Sequence, residues 1–199
     1  MASAQTTERI LDAAERLFFS DGIAVTGVDR VAETAGVAIA TLYKHVGSKD
    51  GLLEAVLSRR FRSWSEHWDA ALEAADSPEE RLLSVFGAVA TYRASAGPTQ
   101  WCCFLATTSE RPTASTANGS EPDAVGALLD EDTRLVTGRL RTLAAEAGLA
   151  DPGTVADELV LLYNGALGSL LRGAPGDPLV VAQRLASAVV AGARRSTSG

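Results

Sequence analysis

Apolar side chains recur over residues 6–21 at the three-and-four spacing of a helix: Ile10, Leu11, Ala14, Leu17 and Phe18 form one stripe. Glu8, Arg9, Asp12, Glu15 and Arg16 take the other side. Thr6 or Thr7 is the expected N-cap and Gly22 the stop. A second stripe, Val28, Val31, Ala32 and Ala35, predicts a short helix opened by Thr26 as N-cap, with Asp29 three residues on, and closed at Gly36. A third helix follows at once, roughly Ile39 to His45, with Val37, Leu42 and Val46 turned inward. Two short helices hinged on one glycine make a helix-turn-helix.

The remaining pattern is also helical. A long helix is predicted from Asp50 to about Ala75, with Trp64 and Trp68 one turn apart. Asp76-Ser77-Pro78 opens the next, whose apolar positions include Leu82, Leu83, Val85, Phe86, Val89, Ala90 and Tyr92. Gly97-Pro98 is a break, and Arg111 to Asp123, rich in turn formers, reads as a mobile loop. A helix from about Ala124 to Ala147 closes at Gly148. Val155–Leu171 and Leu179–Val190 are apolar on nearly every side, and such helices are expected to be buried all round. Gly165, Ala166, Gly168 and Ala186 permit close helix approach. A pair of these helices from each of two subunits would make a four-helix interface, and burial inside one subunit is the alternative.

Composition agrees with an all-α chain. In 199 residues, 46% are hydrophobic and only 6% aromatic, and alanine is abundant, which favours helix over sheet. The start, MASAQTTERILDAAERLFF, lacks the basic and apolar regions of a signal peptide, so a cytoplasmic location is expected. The apolar run Leu159–Leu171 is too short for a membrane span, and no membrane association is expected. Adjacent Cys102 and Cys103 cannot build a disulfide framework; they read as buried thiols, with a redox sensor as the alternative. Charge is unevenly distributed. Residues 1–62 hold eight bases and eight acids, so the whole net charge of −7 lies in the remainder. A polyanion would be repelled by that C-terminal part and tolerated by the N-terminal one.

The order RILDAAERLFFSDG, then VTGVDRVAETAGVAIATLYKHVGSKDGLLEAV, resembles the DNA-binding domain of the TetR family of bacterial transcriptional repressors. The resemblance covers about the first 57 residues and rests on Ala35-Gly36-Val37, Thr41-Leu42-Tyr43 and Gly47-Ser48-Lys49 through Leu52-Leu53 at fixed spacing. It implies a helix-turn-helix domain over residues 1–50 and a helical effector-binding and dimerisation domain over 51–199. A helix in the major groove presents side chains to base edges while its flanks are pinned on phosphates. Ala38, Ile39, Ala40, Thr41, Tyr43 and Lys44 are the candidates on the third helix. Ser48 and Lys49 at the start of the fourth, and Thr26 at the start of the second, are the candidates for phosphate. Ala38 and Ile39 are apolar where members of that family often carry polar or basic residues, so readout leans on thymine methyls, on Thr41 and Lys44, and on DNA shape.

The same resemblance implies a pocket for a small-molecule effector in the middle helices, whose filling moves the fourth helix. Trp64, Trp68, Phe86, Tyr92, Trp101, Phe104 and Tyr163 are candidate walls, with Cys103, Thr107 and Asn164 as polar points, a lining suited to a lipophilic or aromatic effector. Leu159, Tyr163, Leu167, Leu170, Leu171, Leu185 and Val189 are the candidate dimer contacts. The expected function is a ligand-responsive repressor, binding a palindromic operator as a homodimer. An activator, a regulator without a ligand and a helical protein-interaction module are the alternatives. No catalytic residue, metal or cofactor is expected. The two histidines, His45 and His67, lack a phosphate loop or serine elbow, and His67 and Asp69, two apart on a helix, point apart.

Overall fold

The computed structural model describes residues 2–95, 102–111 and 123–195. Its described residues form nine helices: α1 (Ala2–Asp21), α2 (Val28–Ala35), α3 (Ile39–Val46), α4 (Lys49–Glu73), α5 (Pro78–Ser95), α6 (Cys103–Glu110), α7 (Ala124–Glu146), α8 (Pro152–Leu171) and α9 (Pro178–Arg195). Trp101, the Gly97-Pro98 break and most of the expected 111–123 loop lie outside the described residues.

The chain divides into two compact units: residues 1–62 with 96–131, and 63–95 with 132–199. The first has a core in which the α1 stripe (Ile10, Ala14, Leu17, Phe18) meets Val31 and Ala32 of α2, Leu42 of α3, and Leu52, Leu53, Val56 and Leu57 of α4. Gly36 ends α2 at φ +66°, ψ +40°, a left-handed conformation that costs glycine little. The Val37 N–H then donates to the Ala32 carbonyl at 3.0 Å, the six-residue closure of a Schellman cap. This geometry sets the corner between α2 and α3.

Two expected starts are corrected. α1 begins at Ala2, so Thr6 and Thr7 lie inside it; the Thr7 hydroxyl and His45 Nδ1 of α3 share a hydrogen bond of 2.9 Å. α2 begins at Val28 behind Gly27, with no side-chain cap. Thr26 is fully buried and its hydroxyl donates to the Gly22 and Leu17 carbonyls, at 2.7 and 3.3 Å. It satisfies the end of α1 rather than the start of α2, because a buried hydroxyl takes whichever acceptor is enclosed with it.

Arg59 fastens α4 to α1. Its guanidinium donates to Glu8 at 3.0 Å, Asp12 at 2.7 Å and Glu15 at 2.7 Å, three carboxylates spaced along one face of α1. Arg60 adds an ion pair to Glu15 at 3.0 Å.

In the second unit, Val155, Ala156, Leu159, Tyr163, Ala166 and Leu167 of α8 are buried, as are Leu179, Ala182, Ala186 and Val190 of α9. The expectation that these helices are buried all round does not hold within one chain. Leu161 is 73% exposed, Val180 61%, Val181 46% and Leu185 41%. Asp151 caps α8 by accepting from the Thr154 N–H at 3.1 Å, and Pro152 occupies its first turn.

Candidate DNA-binding face and effector site

On α3 the buried Leu42 anchors the helix, and the flanking Val37 and Val46 pack partly against the same core. Ala38, Ile39, Ala40, Tyr43 and Lys44 are exposed, Thr41 half-buried. These side chains share a surface on a helix held rigidly by its core contact, the arrangement needed to enter a groove. Lys44 and His45 occupy its last turn.

The start of α4 abuts this face. The Ser48 hydroxyl accepts from the Gly51 N–H at 2.9 Å and its carbonyl from the Leu52 N–H at 2.9 Å, an N-cap that orders the first turn. Lys49 donates from Nζ to the Ala24 carbonyl at 3.1 Å. Asp50, whose carboxylate would oppose an approaching anion, faces the Arg111 guanidinium at 3.7 Å, and Arg111 also pairs with Asp123 at 2.7 Å. Of the three phosphate candidates, Ser48 and Lys49 lie at the surface edge while Thr26 is enclosed with its hydroxyl committed.

Sequence reading missed Gly51. A Cβ there would collide with the backbone carbonyl oxygen of Val46, so the α3–α4 corner closes only around a glycine. It also missed Glu110, which reaches the Ala24 N–H across 86 residues of sequence. No local pattern signals either contact.

The pocket candidates separate into two groups. In the first unit, Cys103 is buried, Thr107 is buried with its hydroxyl donating to the Cys103 carbonyl at 2.7 Å, and Phe104 meets Phe61 edge-on at 6.1 Å. In the second, Trp64 is the hub of an aromatic cluster, its ring centroid 5.5 Å from Trp68, 5.7 Å from Tyr92 and 6.3 Å from Tyr163. Phe86 is buried in the same unit, whereas Asn164 is exposed. Arg139 of α7 stands 4.7 Å over the Trp68 ring and pairs with Asp69 at 2.7 Å. Asp132, also on α7, is withdrawn from water, and that burial pushes its carboxyl pKa up to about 7. A separate groove of about 630 Å³ opens beside His67, Ala70, Ala71, Leu83, Gly87 and Gln183, none of them a sequence-predicted contact.

Residues 10–56 match the family described as bacterial regulatory proteins, tetR family. The chain is 32% identical over 94 residues to TtgW of Pseudomonas putida, an uncharacterised HTH-type transcriptional regulator, covering 40% of this chain and 70% of that one. This chain belongs to the TetR family. Within the family it is 35% identical over 86 residues to the transcriptional repressor KstR of Mycolicibacterium smegmatis, over 43% of this chain and 42% of the relative. The matched stretch spans only 42 to 44% of the length of several curated relatives. The fold continues beyond it: a TetR-family transcriptional regulator from Streptomyces coelicolor superposes with a TM-score of 0.77 at 25% identity, over 98% of this chain and 97% of that one. These TetR-family relatives are regulators rather than enzymes, and among the described residues of this chain no His, Cys, Asp and Glu cluster could hold a metal ion. No helix among the described residues is long and apolar enough to cross a membrane.

Proposed function

We propose that this TetR-family protein is a transcriptional repressor that binds a palindromic operator as a homodimer and is released by a lipophilic or aromatic effector. The observation that carries the DNA reading is α3: Leu42 fixes it to the core while Ala38, Ile39, Ala40, Tyr43 and Lys44 stand in solvent together. Thr41 completes the base-reading face. Lys49 and the capped start of α4 supply phosphate contacts, Lys49 exchanging the Ala24 carbonyl for a phosphate oxygen on binding. Thr26 supports that contact indirectly, by closing the loop beneath it.

Homodimerisation is supported by the apolar positions that α8 and α9 leave in solvent, among them Leu161, Leu171, Val180 and Leu185. Leu170 and Val189, partly covered, border them, whereas Leu159, Tyr163 and Leu167 serve the chain's own core. Twofold symmetry then places two α3 helices on half-sites one helical turn, or a multiple, apart. An effector acts by preferring the conformation that does not bind DNA. α4 contributes residues to both compact units, which supports its role in passing that preference along.

The test is a fluorescence-anisotropy titration of the protein against the DNA upstream of its own coding sequence, at two salt concentrations, with a scrambled fragment as control. Tight, salt-steep and sequence-selective binding is the expected result. Equal affinity for both fragments across operator libraries would remove the reading.

A further inference from the structure

Trp64 is 3% exposed, and its indole N–H finds no hydrogen-bond acceptor among the described residues. Its neighbour Trp68 is equally buried, yet donates to Ser84 Oγ at 3.1 Å. Buried donors are nearly always paired, so an orphan at the hub of an aromatic cluster asks for an acceptor that the described residues do not supply. Two of the rings around it, Trp68 and Tyr163, lie only 31° and 32° from the Trp64 plane, so their faces already run nearly alongside.

We propose that this cluster binds a planar aromatic molecule carrying a hydrogen-bond-accepting oxygen, which receives the Trp64 N–H while its ring lies against Trp64, Trp68 and Tyr163. The inference rests on the effector-responsive reading above and names the chemistry of its effector. A purely aliphatic ligand would leave the indole N–H as unpaired as before. A cationic ligand meets Arg139, whose guanidinium already stands 4.7 Å over Trp68, so a neutral or anionic oxygen acceptor is the better match. Entry has a mechanical consequence. A flat ring sandwiched between two others needs their planes roughly 7 Å apart, about twice the van der Waals spacing, whereas the present centroids stand 5.5 to 6.3 Å apart. The ligand therefore shifts Trp64 or a neighbour, and Trp64 is carried on α4.

Fluorenone and fluorene share a flat tricyclic skeleton and differ in the carbonyl oxygen, so they isolate the hydrogen bond. Their binding is followed through quenching of tryptophan emission, Trp68 serving as reporter in the Trp64→Phe variant. The wild-type protein should bind fluorenone about tenfold more tightly than fluorene, the worth of one net hydrogen bond, and Trp64→Phe should abolish that preference while keeping fluorene binding. In the wild-type complex the fluorenone carbonyl stretch should move to lower frequency, a readout that stands if the variant fails to fold. Equal binding of both probes, binding of neither, an unshifted carbonyl, or a preference that survives Trp64→Phe would each overturn the proposal. Operator titrations run alongside separate the two readings. Selective operator binding without a fluorenone preference removes this site and leaves the repressor, whereas absence of operator binding removes the repressor itself.

Discussion

The carboxylate of Glu110, the last residue of α6, accepts a hydrogen bond from the backbone N–H of Ala24 at 2.9 Å. On the other side of the same peptide segment, the Ala24 carbonyl accepts from Lys49 Nζ at 3.1 Å. The loop between α1 and α2 is thus held from both sides by charged groups. Glu110→Ala should leave the Ala24 amide to water and speed its hydrogen exchange, with a stability loss of about 1 kcal/mol, because the contact is exposed. Unchanged exchange at Ala24 would show that the contact does not persist in solution.

Lys49→Ala removes one charge from the proposed phosphate contact and nothing from the core. Operator affinity should fall about tenfold, and the slope of log affinity against log salt should flatten by about one unit, uniformly across operator variants. Tyr43→Ala, at a residue 43% exposed, should weaken binding without changing the melting temperature. Unaltered affinity and salt slope for Lys49→Ala would remove the phosphate assignment, and unaltered affinity for Tyr43→Ala would take Tyr43 off the proposed reading face.

Gly51→Ala places a methyl against the Val46 carbonyl, and both are backbone-borne, so neither can swing aside. A destabilisation of about 2–4 kcal/mol is expected, together with a loss of operator binding larger than any surface substitution causes. Chemical denaturation compared with wild type tests this directly.

Asp132 makes stability depend on pH. Its folded pKa of about 7 lies above the ordinary 3.8, so between these values the folded state holds a proton that the unfolded chain has released. Stability should therefore decline as pH rises from about 4 to 7 and level off above, by at most about 4 kcal/mol. Asp132→Asn should be more stable than wild type at pH 8 and about equal at pH 4. Parallel melting curves at the two pH values would contradict the assignment.

Leu185→Glu puts a charge on α9 at a position 41% exposed in the single chain, so the subunit should fold and the dimer should split. Sedimentation of an intact dimer would move the interface off this face. The same charge at Leu167, 5% exposed, would instead disrupt the subunit core.

The helix-turn-helix was legible because its signals are local: an apolar stripe, Gly36, and a buried Leu42 followed by the exposed Tyr43 and Lys44. Thr26 was misread for the same reason. Thr-x-x-Asp carries a capping pattern, and only the tertiary fold reveals that the hydroxyl is enclosed with the α1 carbonyls. Trp64 and Trp68 announce their contact by spacing, but Tyr92 and Tyr163 join them only once α5 and α8 have packed. Gly51 resembles a weak helix residue until the preceding corner brings the Val46 carbonyl against it. The exposed strip on α8 and α9 was hidden by its own hydrophobicity, since a pattern of apolar residues does not say whose surface covers them.

The face of α3 has a bearing on how such proteins diversify. Ala38, Ile39 and Ala40 meet solvent and contribute nothing to the core that Leu42 anchors, so exchanging them should change stability by no more than about 0.5 kcal/mol. If this is the reading face, as proposed, operator preference is free to drift by single substitutions in a lineage, each intermediate still folding, while Gly36, Leu42 and Gly51 hold the frame. Duplicated copies of such a gene could part company in target long before they parted in fold.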